Sequence, residues 1–390
     1  MGRDYSPRVY LIMKRIEFGE LRIGTEAKMN LLDCVSKDWA TAGPKVKKFE
    51  QKWGKLFNYK YNKALSSGTD AVMNLISSLY DFGAKRGDEV IIPALSFIAT
   101  ANAVSMAGFT PVFVDIRRDT LNIDPDKIEE AITPKTRAVL VVHTMGIPCA
   151  MKEIKEITDK HDIMLFEDCC EAHGAQYNDQ YVGKFGDGAA FSYYVAHLIC
   201  CGEGGMVSTN NKEVAEAVNS TRTHGRKNGD LYFSFDRVGY NSKMNDLEAS
   251  LGLEGVRNFR KTFRLRRTHL FYLLKETSKY RDLAYFNEEP EGTEICPHGF
   301  SVVLKDEKYN IDRLCEILDE NNIHWKRNFG CTPTQHKAYE FMGHKLGDFP
   351  ESEFVGANGI HVGVHQYLSK DDLERMSNAF SEFFEEVNEA

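Results

Sequence analysis

Four short strings in this 390-residue chain carry side chains able to hold and work a flat, phosphate-bearing ligand. Ser67-Gly68-Thr69 heads a helical pattern, where free backbone N–H groups and the positive helix end attract a phosphate. Phe97 follows an apolar run and offers a ring to cover a planar group. Phe166-Glu167-Asp168 closes another apolar run. Ligands of α/β proteins sit at the carboxyl ends of strands, and a carboxylate there can pair with a ring nitrogen and keep it protonated. Residues 191–197, including Ser192 and His197, precede the glycine-rich turn Gly202-Glu203-Gly204-Gly205. Taken alone, the first three strings have plain alternatives: an N-cap, a core ring, a capping carboxylate. Their fixed order is what carries weight.

The elements that must position them follow from the pattern of apolar residues. Runs at 89–92, 111–115, 138–143 and 163–168 are rich in Val, Ile and Phe and nearly continuous in apolar character, as strands buried on both faces are. Helix patterns at 125–132 and 151–161 lie between them. This alternation predicts an α/β fold with a mostly parallel central sheet flanked by helices. After Ser67, one helical face carries Val72, Leu75, Ile76 and Leu79, and Gly83 gives the stop. Composition shifts near residue 258. Beyond it, helices are expected at 261–279, 310–321 and 370–386, and a strand at 299–305. The expected organisation is an N-terminal extension over 1–25, a large ligand-binding domain over 26–258 and a smaller α+β domain over 259–390. The first 16 or so residues carry no reading beyond a surface extension.

Charge is 49 basic against 57 acidic residues, a net of -8, which leaves no electrostatic footprint for nucleic acid. No apolar run reaches the roughly 18–20 residues that span a bilayer. Residues 1–20 mix charges into their apolar stretch, unlike a secretory signal, so the cytoplasm is the expected compartment. The nine cysteines, an odd number, read as reduced thiols, and their spacing offers no zinc site. His361 and His365 are four apart, but Val362 stands where a metalloprotease motif needs Glu; no metal is expected.

Together these strings resemble the DegT/DnrJ/EryC1/StrS family of nucleotide-sugar aminotransferases, a branch of the fold type I enzymes that use pyridoxal 5'-phosphate (PLP). The resemblance runs from Thr41-Ala42-Gly43-Pro44 through Glu167-Asp168-Cys169-Cys170-Glu171-Ala172-His173-Gly174 and Gly239–Leu247 to Gly363-Val364-His365-Gln366. It implies that Gly68, Thr69 and Ser192 hold the phosphate, that Phe97 stacks on the pyridine ring, that Asp168 binds its nitrogen, and that Glu171 sits beside its ring oxygen. It also implies that Asn241 reaches the phosphate from a second subunit, which makes the active unit a homodimer. Where the family has Arg two residues after that Asn, this chain has Lys243.

One departure decides the expected chemistry. In the family's aminotransferases, the residue six before the acidic residue of the glycine-rich turn is the lysine that bonds to PLP. Counting back from Glu203 gives His197. An imidazole cannot make that bond, so the cofactor would be held by non-covalent contacts alone, with pyridoxamine 5'-phosphate (PMP) a natural resting form. With an ordinary pKa of about 6.5, imidazole is a competent base at neutral pH. Family members with histidine here are sugar 3-dehydratases, and the local strings are similar to those of GDP-4-keto-6-deoxymannose 3-dehydratases, with His224 and His365 as further candidates toward substrate. The resemblance thus implies removal of the C3 hydroxyl from a nucleotide-linked 4-keto-6-deoxyhexose, with L-glutamate as amino donor. An iron–sulfur cluster, used by a related dehydratase, is not expected, because no cysteine lies between Cys201 and Cys296. Two other readings stay open: transamination to a 4-amino sugar, by a native enzyme or a Lys-to-His variant, and a non-catalytic cofactor- or sugar-binding protein.

Overall fold

A computed structural model of the chain describes residues 14–229 and 233–389. Its centre is a seven-stranded sheet. In spatial order the strands are Tyr61–Leu65, Gly205–Thr209, Gly188–Ser192, Met164–Asp168, Thr136–Val142, Glu89–Pro93 and Thr110–Val114. All run parallel except Gly205–Thr209, which is antiparallel to both neighbours. The parallel pairing of the four predicted strands follows from their residues. Ala138 and Leu140 pack into one core with Phe166, Val72 and Leu75. Val139 and Val141 pack into another with Leu165 and Ile154. Side chains alternate between faces of a strand, so an unbroken apolar run is what two covered faces require.

The helix Gly68–Ser77 begins where expected, with the Ser67 hydroxyl accepting from the Asp70 N–H at 3.0 Å. The stretch expected at 125–132 is helical only over Pro125–Ile128, tightening to a 3-10 turn at Glu129–Ala131 before Pro134. The helix expected at 261–279 is longer and starts earlier, at Asp246–Thr277. Its start is fixed by a capping box: Asn245 accepts from the Leu247 and Glu248 N–H groups, and Glu248 accepts from the Asn245 N–H. It runs straight through position 258. Its first turns lie on helices Thr25–Ser36 and Pro44–Phe57, and it also packs against Lys370–Glu389.

The C-terminal part forms a four-stranded antiparallel sheet with the order Ala284–Phe286, Gly299–Leu304, Gly359–Gly363, Trp325–Arg327. The strand expected to alternate, Gly299–Leu304, is buried at every position because it is internal to this sheet and covered by helices. Of the N-terminal extension, residues 1–13 lie outside the described residues. From Ile16 onward the chain is packed: Ile16 pairs in parallel with Ile323, and both Ile16 and Phe18 are buried. A Cβ on Gly363 would stand 1.9 Å from the Phe18 carbonyl oxygen, so glycine is what lets this arm cross the small sheet. Among the described residues no helix is long and apolar enough to cross a membrane.

Candidate active site

A cavity of about 480 Å³ opens at the carboxyl ends of the parallel strands. Gly68, Thr69, Phe97, Asp168, Glu171, Ser192 and His197 all line it, so residues spread over 130 positions converge on one space. The Gly68 and Thr69 N–H groups head the helix and have no place in its ladder. Gly68 is required there: a Cβ would lie 2.5 Å from Ser192 Cβ. Phe97 is 61% exposed, a large apolar ring presented to the cavity rather than to the core.

Two neighbouring acids at the end of one strand have opposite surroundings. Glu167 points beneath the site and is saturated: it accepts from the Gly183, Phe185 and Gly186 N–H groups and meets His143 Nε2 at 3.1 Å. The Cys149 N–H donates to His143 Nδ1, so Nε2 carries the ring proton and donates to Glu167. Together with Cys169 these side chains are close enough to suggest a metal site, but the ring nitrogens of His143 and the carboxylate of Glu167 are already engaged in hydrogen bonds. Asp168 points into the cavity. It is buried and accepts from Thr100 Oγ1 at 3.0 Å and the Cys170 N–H at 3.1 Å. No basic side chain among the described residues makes an ion pair with it, and burial pushes its carboxyl up. A buried carboxylate without a counter-ion, aimed into a cavity, calls for a cationic ligand group.

His197 sits on a turn between strands, its N–H bonded to the Tyr194 carbonyl. The buried Arg266 clamps that turn, donating to the Ala196 carbonyl at 2.8 Å and the His197 carbonyl at 3.2 Å, with its Nε on Gln366. The His197 Nδ1 is buried without a hydrogen-bond partner. Burial foremost, with His173, Arg266 and Lys326 nearby, holds its pKa well below the ordinary imidazole value, so at neutral pH the ring is an uncharged base. Glu171 accepts from the Met145 N–H at 2.7 Å. Met145 reaches that position in the left-handed region, with φ of 53°, a strained geometry for a side chain of its size. Burial raises Glu171 to about 7; the Met145 N–H and Lys326 pull the other way, and Asp168 adds to the rise.

The model of the DegT/DnrJ/EryC1/StrS aminotransferase family matches residues 22–381. The chain belongs to the DegT/DnrJ/EryC1/StrS family. Among its relatives, GDP-4-keto-6-deoxy-D-mannose 3-dehydratase of Escherichia coli O55:H7 is 31% identical over 86% of this chain and 91% of its own length. The dTDP-3-amino-3,6-dideoxy-alpha-D-galactopyranose transaminase of Aneurinibacillus thermoaerophilus is also 31% identical, over 93% of this chain and 96% of its own. A solved structure of the E. coli 3-dehydratase with bound hydrated PLP superimposes with a TM-score of 0.84 at 27% identity, covering 93% of this chain and 98% of that one. The fold is therefore that of the PLP-dependent fold type I enzymes, as the sequence led us to expect.

Other positions drawn from the DegT/DnrJ/EryC1/StrS resemblance lie apart from the cavity of their own chain. Asn241 is exposed, its Oδ1 bonded to Lys243 Nζ at 2.6 Å. His224 is exposed on the same loop, in the left-handed region at φ of 66°. His365 is buried behind the His197 turn; its Nδ1 accepts from the Tyr367 N–H and its carbonyl meets His269 Nδ1. Conversely, Phe18, His298, Lys326 and His361 line the cavity without having been singled out for it. Phe18 meets His298 and His361 edge to face, at ring centroid distances of 5.9 and 5.1 Å, and Lys326 Nζ lies 4.4 Å from its ring centre. These come from the N-terminal arm and the small sheet, where no glycine turn or strand-end acid marks them.

Proposed function

We propose that this protein is a PLP/PMP-dependent nucleotide-sugar 3-dehydratase acting on a 4-keto-6-deoxyhexose, with L-glutamate as amino donor. The observation that carries the reading is the neutral imidazole of His197 in the cavity, at the sequence position of the family's cofactor-bonding lysine. The donor set fits the cofactor. Asp168 offers an unpaired buried carboxylate for a pyridinium nitrogen, Phe97 a bare ring for its face, and the Ser67–Thr69 helix start with Ser192 a cradle for its phosphate. When bound, PLP and its amino form supply the electron delocalisation that lets a hydroxyl leave from the carbon beside a carbonyl. The chain supplies the rest. Asp168 holds charge on the ring nitrogen, Arg266 fixes the His197 turn, and the His197 ring nitrogen takes up and returns a proton at the reacting face.

We further propose a homodimer in which Asn241 and His224 of each subunit serve the other's cavity. Asn241 and His224 stand exposed and outside the lining of their own, Lys243 is half-buried beside Asn241, and the helix Thr25–Ser36 exposes Met29, Leu32 and Val35. The relative solved with hydrated PLP supports a cofactor without a lysine bond.

The test is incubation with PLP, glutamate and a panel of nucleotide-linked 4-keto-6-deoxy sugars, read by mass spectrometry. Loss of water with release of ammonia and 2-oxoglutarate is expected. Retention of nitrogen in an amino sugar would instead place the chain with its transaminase relative.

A further inference from the structure

We propose that Glu171 and His298 form a proton store in the cavity wall, with His298 as its positioning residue: one edge of the ring faces the Glu171 carboxyl and the opposite edge takes up or releases the proton. Glu171 Oε1 and His298 Nε2 lie 3.4 Å apart, and both residues line the cavity. That separation is long for a hydrogen bond, as such contacts often are before a ligand closes a site. The His298 Nδ1 is buried with no partner, and its ring stands 5.2 Å from the His197 ring, centre to centre. A buried polar atom without a partner is destabilising, and a proton exchanged with a ligand in the cavity would satisfy it.

The pair has two arrangements that differ by one proton. In the first, the neutral Glu171 carboxyl donates to Nε2, and Nδ1 carries the ring proton. In the second, Nδ1 has released its proton, the carboxyl proton has passed to Nε2, and Nε2–H donates to the carboxylate. The imidazole stays neutral in both, and the charge change rests on Glu171. The surroundings favour this. Burial first, with His197, His361, Arg266 and Lys326 facing it, holds His298 well below its ordinary pKa. Glu171 is faced by Asp168, Lys326 and the Met145 N–H, and burial lifts it to about 7, so the store turns over at neutral pH. Resting on the dehydratase reading, the store supplies the proton that a departing hydroxyl must gain to leave as water.

The first experiment follows the ring nitrogens of 15N-histidine-labelled, cofactor-loaded, full-length protein by NMR from about pH 5.5 to 8.5, where a histidine switch is visible. The His298 signals, assigned by their loss in H298Q, should move from a proton on Nδ1 to a proton on Nε2 with a midpoint near pH 7, and E171Q should abolish the movement. A single tautomer throughout, or a switch that survives in E171Q, overturns the store. This result is independent of whether the sugar loses water or gains nitrogen, so it separates from the fate of the dehydratase reading. The second experiment is the pH profile of kcat. Wild type should fall by a one-proton limb near pH 7, and E171Q and H298Q should both flatten it; H298N repeats the test with a shorter amide. A limb unchanged in the histidine variants overturns the proposal.

Discussion

The two walls of the cavity are built on different logic. The wall from the large sheet is a backbone construction: Gly68 and Thr69 at a helix start, Asp168 and Ser192 at strand ends, His197 on a turn pinned through its carbonyl by Arg266. The opposite wall consists of side chains, Phe18, His298, Lys326 and His361, sent from four separate segments, with the other three packed around the Phe18 ring. The first kind holds a fixed chemical group, because helix and strand ends have set geometry. On the proposed reading, the second would surround whatever is attached to that group, and side-chain identity would set its choice.

If the sheet-side wall carries the chemistry, changes there should act on rate and cofactor binding. The largest effect is expected for H197N, which keeps size and hydrogen bonding but removes the base. It should lower kcat about a hundred- to ten-thousand-fold while cofactor affinity, read by absorbance titration, stays near wild type. Because the ring's pKa is held well below 6.5, the acid limb that belongs to His197 should lie below pH 6.5 in wild type. The base must be unprotonated to act, so activity is retained above that limb and lost as pH falls through it. A limb above pH 6.5 tied to His197 would break the assignment. H197K is the complementary swap: borohydride should then trap a covalent cofactor adduct that wild type does not give.

D168N should act next most strongly, and on binding. It replaces a buried carboxylate facing the cavity with a neutral amide. The expected loss is about 2 kcal/mol or more, roughly thirtyfold in the affinity for PLP by calorimetric titration. If D168N binds PLP as tightly as wild type, the cationic group that Asp168 awaits is not the cofactor's nitrogen.

The same contrast explains what the sequence could reveal. The parallel sheet was legible because unbroken apolar runs have few other uses, and the large-domain wall because strand ends and glycine turns leave marks in local spacing. The start of the long helix was also written locally, in Asn245-Asp246-Leu247-Glu248, but a charged stretch further on drew attention to position 261 instead. The small-domain wall left no such trace. His298 and Lys326 stand in ordinary strand and turn segments, and only the pairing of Gly299–Leu304 with Gly359–Gly363, and of that strand with Trp325–Arg327, brings them to the cavity. Phe18 was hidden in an arm whose burial depends on Gly363, more than three hundred residues away.

The smallest expected effect is the one that best sharpens the division. Lys326 is partly buried, lines the cavity, and makes no ion pair among the described residues; its cation rests on the Phe18 ring. Burial lowers its pKa, which is the condition of a cation awaiting an anionic ligand. K326M keeps the length of the chain and removes the charge. It should raise KM for the anionic nucleotide sugar by up to about 1 kcal/mol, roughly fivefold, with little change in maximal rate. Lys326 is also one of the groups that pull Glu171 down, so its loss should move the Glu171 limb upward from about 7 and extend activity to more alkaline pH. A change in KM and limb position without loss of kcat would show that the small-domain wall selects and tunes, while the strand-end wall does the chemistry; a collapse of kcat in K326M would erase that division.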